Sequence, residues 1–80
     1  MKIDPDSFEM TCSAYPSQWD AKTTDGDYVY IRYRWGWLTV TAKAFTDDEV
    51  ELFTWGSADP WDGVMSTSEL SDHLVKAGLM

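Results

Sequence analysis

The only two arginines of the chain, Arg32 and Arg34, stand two residues apart within residues 28–41, a stretch that also holds Tyr28, Tyr30, Tyr33, Trp35 and Trp37. A guanidinium presents a planar fork of N–H donors that matches a carboxylate or a phosphate. Over an exposed aromatic ring it gains a further ~0.5–1 kcal/mol. Arg, Tyr and Trp are also the residues that dominate binding energy where proteins meet. The chemistry of this stretch is therefore recognition. A structural role competes with it: the loop around Pro60-Trp61, or the N-terminal residues, would cover these side chains, and Arg32 would only pair with Asp20.

All 14 acidic residues lie outside that stretch, against six Lys and Arg in the whole chain, for a net charge of −8. Asp47, Asp48, Glu49 and Glu51 form the sharpest cluster. Asp59 and Asp62 flank Trp61 in a later loop. Carboxylates spread over a surface can stand in for phosphates, steering toward a basic channel and neutralising its Lys and Arg. The same charge repels nucleic acid at long range. Stacking bases on the aromatic face would also need a basic groove, and six cations against 14 acids build little of one. Direct nucleic-acid binding is thus not expected. A basic protein or nucleoprotein complex is the expected partner. Solubility and adaptation to high salt would explain the same acidity.

Catalytic patterns do not assemble. His73 is the sole histidine and Cys12 the sole cysteine, and no Ser–His–Asp order or Gly-rich phosphate loop is recognisable. Calcium takes about six to eight oxygens from a shaped loop, and no Asp-x-Asp-x-Asp-Gly run exists. No enzyme activity, metal or cofactor is expected. A single cysteine permits no intramolecular disulfide. Residues 1–6 carry acids where a signal peptide has an apolar run, and no apolar run approaches the ~20 residues that span a bilayer. The expected location is the cytoplasm, without membrane association.

The elements that must position these residues follow from periodicity. Eighty residues make one domain. Residues 1–7 read as a flexible arm. From Phe8 the alternation puts Phe8, Met10, Cys12 and Ala14 on one face, until Tyr15-Pro16, a pair suited to a cis bond in a tight turn, breaks it. Residues 17–23 resume it with Trp19 and Ala21 inward. A three-residue loop at Asp25-Gly26-Asp27 would set Trp19 against Tyr33, Ala21 against Ile31 and Asp20 against Arg32. Residues 28–43 exceed one typical strand; with an unbroken bulged strand as the alternative, a tight turn at Trp35-Gly36 pairs Tyr33 with Leu38, Ile31 with Val40 and Val29 with Ala42 on an apolar face. Arg34–Trp37, Arg32–Thr39 and Tyr30–Thr41 then fall on the other.

A further strand over 49–55 carries Val50 and Leu52 inward and Glu51, Phe53 and Trp55 outward. Residues 56–65 are rich in breakers and read as a loop. The helix spans 66–78, with Ser66 and Glu69 as a capping box, Met65 and Leu70 as a hydrophobic staple, Leu70, Leu74 and Ala77 as the buried stripe, and Gly78 past the end. The expected fold is α+β: a four- to five-stranded antiparallel meander over residues 8–55, with one C-terminal helix packed on one face.

The residues Gln18-Trp19-Asp20, Asp25-Gly26 and Tyr33-Arg34-Trp35-Gly36 look like stretches of small phage reading frames. Short, acidic, non-enzymatic chains of this kind resemble phage-encoded and mobile-element inhibitors of host defence, anti-CRISPR proteins among them. The resemblance implies binding to a CRISPR effector and blocking of its DNA-binding surface or subunit contacts, in the cytoplasm of a host cell. The expected contact residues are Asp47, Asp48, Glu49, Glu51, Asp59 and Asp62 for charge, with Arg34, Trp37, Trp55 and Trp61 as anchors. The alternative is a structural or self-associating module that uses the aromatic–arginine sheet face.

Overall fold

Alternating side chains sort themselves between a buried and an open face, and this chain does so over five strands. The computed structural model describes residues 1–13 and 16–80. In chain order it has β1 (Glu9–Cys12), β2 (Ser17–Lys22), β3 (Tyr28–Arg34), β4 (Trp37–Ala42), β5 (Val50–Gly56) and α1 (Thr67–Lys76). The strands form one antiparallel sheet in sequence order, the α+β meander that the alternation predicts. Helix α1 covers one face. Leu70 and Leu74 join Trp19, Ala21, Val29, Ile31, Tyr33, Leu38, Val40 and Ala42 in a single core, and Trp19 donates its indole N–H to Thr67 Oγ1 at 3.0 Å. No helix among the described residues is long and apolar enough to cross a membrane.

The β3–β4 register is the expected one, from Val29 opposite Ala42 to Arg34 opposite Trp37. The turn that sets it has positive φ at both central residues, 56° at Trp35 and 73° at Gly36, the mirror-image geometry that follows strand twist. The β2–β3 pairing departs from expectation by two residues. Trp19 lies opposite Ile31, Ala21 opposite Val29, and Asp20 opposite Tyr30, with Gln18 facing Arg32. Residues 23–27 form a longer loop closed by Thr23, which accepts the Asp27 N–H on its side chain and the Gly26 N–H on its carbonyl. An even shift keeps every side chain on its face but removes the Asp20–Arg32 pair. Asp20 instead accepts a 2.6 Å bond from Tyr28 Oη.

Two bulges overturn parities read from the sequence. An extra residue in β5 between the Val40–Phe53 and Thr41–Glu51 pairs leaves Leu52 unopposed. Phe53 and Trp55 therefore face the helix side, packed against the core, instead of the open face. A second bulge in β1 at Thr11 puts Cys12 opposite Gln18, on the open face rather than in the core. Bulges of this kind reverse side-chain facing beyond them. The expected turn at Tyr15-Pro16 and the place of Ala14 lie outside the described residues.

The helix ends as its sequence predicts. Ser66 and Glu69 cap each other, Met65 and Leu70 are both buried, and Gly78 has φ of 76°. Leu79 N–H reaches Leu74 O and Gly78 N–H reaches Val75 O, the paired bonds of a Schellman motif. Ala77 lies outside the buried stripe, exposed at the C-cap. The first residues are not the expected flexible arm. Ile3 is 1% exposed and bridges Thr23, its N–H donates to Leu79 O at 2.8 Å, and Lys2 Nζ reaches Gly78 O at 2.6 Å. An ammonium at a helix C-terminus also meets the favourable end of its dipole. Residues 2–4 thus tie the helix end to the β2–β3 loop.

Candidate functional site

Antiparallel pairing with short turns places chain segments at one end of the sheet or the other, and here it sorts the charges. The 23–27 loop and the 43–49 turn lie at one end, joined by the Lys43 N–H bond to Tyr28 O. The 2–4 segment pairs there too, through Asp4 N–H to Lys22 O and Thr24 N–H to Lys2 O. Asp4, Asp25, Asp27, Asp47, Asp48 and Glu49 therefore collect at this end, with Glu51 next to it opposite Thr41. Asp47, Asp48, Glu49 and Glu51 are all exposed. Glu49 also has a local task, accepting the Phe45 N–H at 3.1 Å.

The β3–β4 turn marks the opposite end. Gly36 sits beneath the loop after β5. Its N–H donates to Asp62 O and its carbonyl accepts from Ser57 N–H, both at 2.7 Å. A Cβ on Gly36 would lie 2.3 Å from Asp59 O, so only glycine allows this approach. The loop is braced from within. Ser17, fully buried, donates its hydroxyl to Ser13 O at 2.7 Å and accepts the Met65 N–H at 3.0 Å. Tyr33 Oη donates to Asp62 Oδ2 at 2.8 Å, while Asp62 Oδ1 takes the Val64 N–H. Burial raises the Tyr33 pKa, and the Asp62 and Asp59 carboxylates add to the rise against a hydrogen bond with Ser57 that lowers it. Asp59 Oδ1 accepts the Trp61 N–H. Both loop acids thus hold the loop in shape.

Three tryptophans surround Arg34 at this end. Trp35 is 56% exposed, Trp37 58% and Trp61 76%. The Arg34 guanidinium lies 5.0 Å from the Trp35 ring centroid, and Trp61 meets Trp35 edge-on at 6.3 Å. Trp37 lies across Gly56, where an added Cβ would come within 3.0 Å of its ring. Two concavities share Arg34 and Trp35. One, of about 100 Å³, is bounded by Trp61, Asp62 and Gly63. The other, of about 200 Å³, runs onto the open sheet face between Arg32, Trp37 and Thr39. Arg32 Nε is buried and has no hydrogen-bond partner among the described residues. Toward the acidic end the open face closes, because Phe45 leans on Tyr30 with centroids 5.2 Å apart.

The contact residues expected from sequence therefore divide. Arg34, Trp37, Trp61, Asp59 and Asp62 come together at the aromatic end, while Asp47, Asp48, Glu49 and Glu51 stand at the other. Trp55 belongs to neither: it is half-buried on the helix side, 4.2 Å from the His73 ring and 6.2 Å from Tyr33. Trp35, not expected as a contact, enters the site, and so does Arg32, an open-face candidate that a pairing with Asp20 would have occupied. A signal for Trp35 was present, since a turn position that favours Asn or Gly holds a large aromatic. Among the described residues, no group of three or more His, Cys, Asp or Glu side chains comes together to hold a metal ion. Comparison with known proteins gives no match to any protein family, to any curated protein or to any solved structure.

Proposed function

We propose that this chain is a non-catalytic protein-binding inhibitor of a basic, nucleic-acid-handling complex, of the kind an anti-CRISPR protein would block. The observation that carries the reading is the concentration of exposed carboxylates at one end. Asp47, Asp48, Glu49 and Glu51 stand at the same end of the sheet as Asp25 and Asp27 and outnumber Lys2, Lys22 and Lys43 there, so this end would present a directed negative field as well as a solubilising coat. Such a field raises encounter rates with a cationic surface and falls off with ionic strength. In a nucleic-acid channel the carboxylates would meet the Lys and Arg that otherwise hold phosphates.

Affinity capture from a host-cell lysate, with and without nuclease, tests this. The expected catch is a basic complex that is retained after nuclease treatment and released by salt. Reversal of Asp47, Asp48 and Glu51 to Lys should abolish its capture. Capture of only neutral or acidic proteins, or capture indifferent to that reversal, sinks the reading.

The exposure of Trp35, Trp37 and Trp61 favours a second reading, self-association through the aromatic end. Its mark would be a concentration-dependent dimer in sedimentation, broken by Trp37→Ala and insensitive to salt.

A further inference from the structure

The aromatic end carries an unmet chemical demand. Arg32 and Arg34 project from alternate positions of β3 onto the same open face. Among the described residues, Arg32 Nε has no hydrogen-bond partner and is buried, so an occupant of the cleft bonds it only once the Arg32 side chain turns outward. A buried donor left unpaired costs about 1–3 kcal/mol, and such orphans call for a specific cause. The internal carboxylates are engaged elsewhere: Asp62 accepts from Tyr33 Oη and Val64 N–H, and Asp20 from Tyr28 Oη. The walls are flat and apolar: Trp35, held at φ of 56°, and Trp37, laid across Gly56.

From this we infer that the cleft between Arg32, Arg34, Trp35 and Trp37 is a clamp for one acidic side chain, an Asp or Glu flanked by an apolar residue on a partner protein. Size and charge decide among anions. The cleft holds about 200 Å³, below the roughly 300–1,000 Å³ that enclose a nucleotide or other drug-sized ligand but sufficient for one side chain. A polyphosphate or nucleic-acid strand would approach a chain of charge −8 against long-range repulsion. A single carboxylate meets two local guanidiniums, whose fork takes it in parallel N–H bonds. The tryptophan faces exclude water from those bonds, which strengthens them, and give the apolar neighbour a surface to cover. The clamp lies at the end of the sheet opposite the acidic cluster and does not depend on the inhibitor reading. Charge reversal at Asp47, Asp48 and Glu51 should leave it intact.

The test uses the whole chain labelled with nitrogen-15 and two probes, the peptides acetyl-Phe-Glu-Phe-amide and acetyl-Phe-Gln-Phe-amide. The Glu peptide should move the Arg32 Nε–H and the Trp35 and Trp37 indole N–H resonances saturably. It should bind at least about tenfold more tightly than its Gln twin. Arg34→Gln, an exposed change whose fold the amide spectrum verifies, should remove that preference, while Asp72→Asn on the helix should keep it. Equal or absent shifts for the two peptides overturn the proposal. So does tighter binding of inorganic phosphate than of the Glu peptide, which would make the cleft a phosphate site. A peptide-free dimer abolished by Arg34→Gln would place a second copy's carboxylate in the cleft, and that too overturns it.

Discussion

At the scale of single residues, several side chains that looked functional have structural work. Asp62 shapes the loop over the β3–β4 turn, and Asp20 holds Tyr28 rather than Arg32. That second bond makes a pH signature. Desolvation by burial, then the hydrogen bond from Tyr28 to Asp20 and the charge of Asp20, push the Tyr28 pKa up to about 12. The folded chain favours the neutral phenol, so the contribution of this pair is fully present below the ordinary tyrosine pKa of about 10 and is lost as pH rises through about 12. In an alkaline titration followed by tyrosinate absorbance, Tyr28→Phe should remove a transition from the top of the curve. Asp20→Asn should move that transition down. A Tyr28 that ionises near 10 in the folded chain would contradict the bond. Trp35 poses the converse case. A bulky residue at positive φ costs about 1–2 kcal/mol relative to the right-handed region, and its ring is mostly exposed, so burial does not account for it. An observed strain of this kind points toward a contact made elsewhere.

At the scale of elements, what could be read from sequence tracks where the pairing is pinned. The β3–β4 register was legible because Trp35-Gly36 leaves a two-residue turn no freedom. The β2–β3 register slipped by two because Thr23 closes a longer loop with its own hydroxyl, a bond the spacing of Asp25-Gly26-Asp27 does not announce. The bulge at Leu52 was hidden for a different reason. Only Thr54 marks the reversal, standing three places after Glu51 yet on the same open face opposite Thr39, while the apolar Leu52, Phe53 and Trp55 around it fit either parity. Helix α1 was legible at both ends, since its caps are local chemistry. Two glycines, one in the β3–β4 turn and one just past the helix, make a matched comparison. Gly36 and Gly78 have nearly equal φ, 73° and 76°, but a Cβ at Gly36 would lie 2.3 Å from Asp59 O while nothing lies within 4 Å of one at Gly78. Gly78→Ala should cost only the left-handed strain of about 1–2 kcal/mol. Gly36→Ala should cost clearly more, because the backbone of the 57–63 loop must also move. Urea denaturation of both variants checks this, and equal losses would mean that the loop does not rest on the turn.

At the scale of the whole molecule, the sequence displayed the acids and the aromatics but not their separation. Which turn lies at which end depends on strand count and direction, so a cluster at 47–51 and a cluster at 32–37 could have shared a face. The fold parts them along a body of 34 × 25 × 21 Å, and these dimensions make the charge testable without any partner. The screening length is ~30 Å at 0.01 M salt, comparable to the whole protein, and ~3 Å at 1 M, shorter than the gap between most neighbouring carboxylates. At low salt all 14 acids therefore act on one another, those of the 23–27 and 43–49 segments from one end of the sheet. Net charge this far from zero destabilises the compact state by self-repulsion. The melting temperature should accordingly rise as sodium chloride is raised from ~0.01 M to ~0.5 M. The double variant Asp47→Asn, Asp48→Asn should start higher at low salt and gain less from the addition, because the repulsion it removes is the one that salt would screen. If Asp25→Asn, Asp27→Asn adds little once Asp47 and Asp48 are gone, the two turns share one field, as their placement at one end of the sheet requires. Full additivity at low salt, or a melting temperature that falls as salt is added, would mean that the acids are balanced where they stand and that the end carries no directed field.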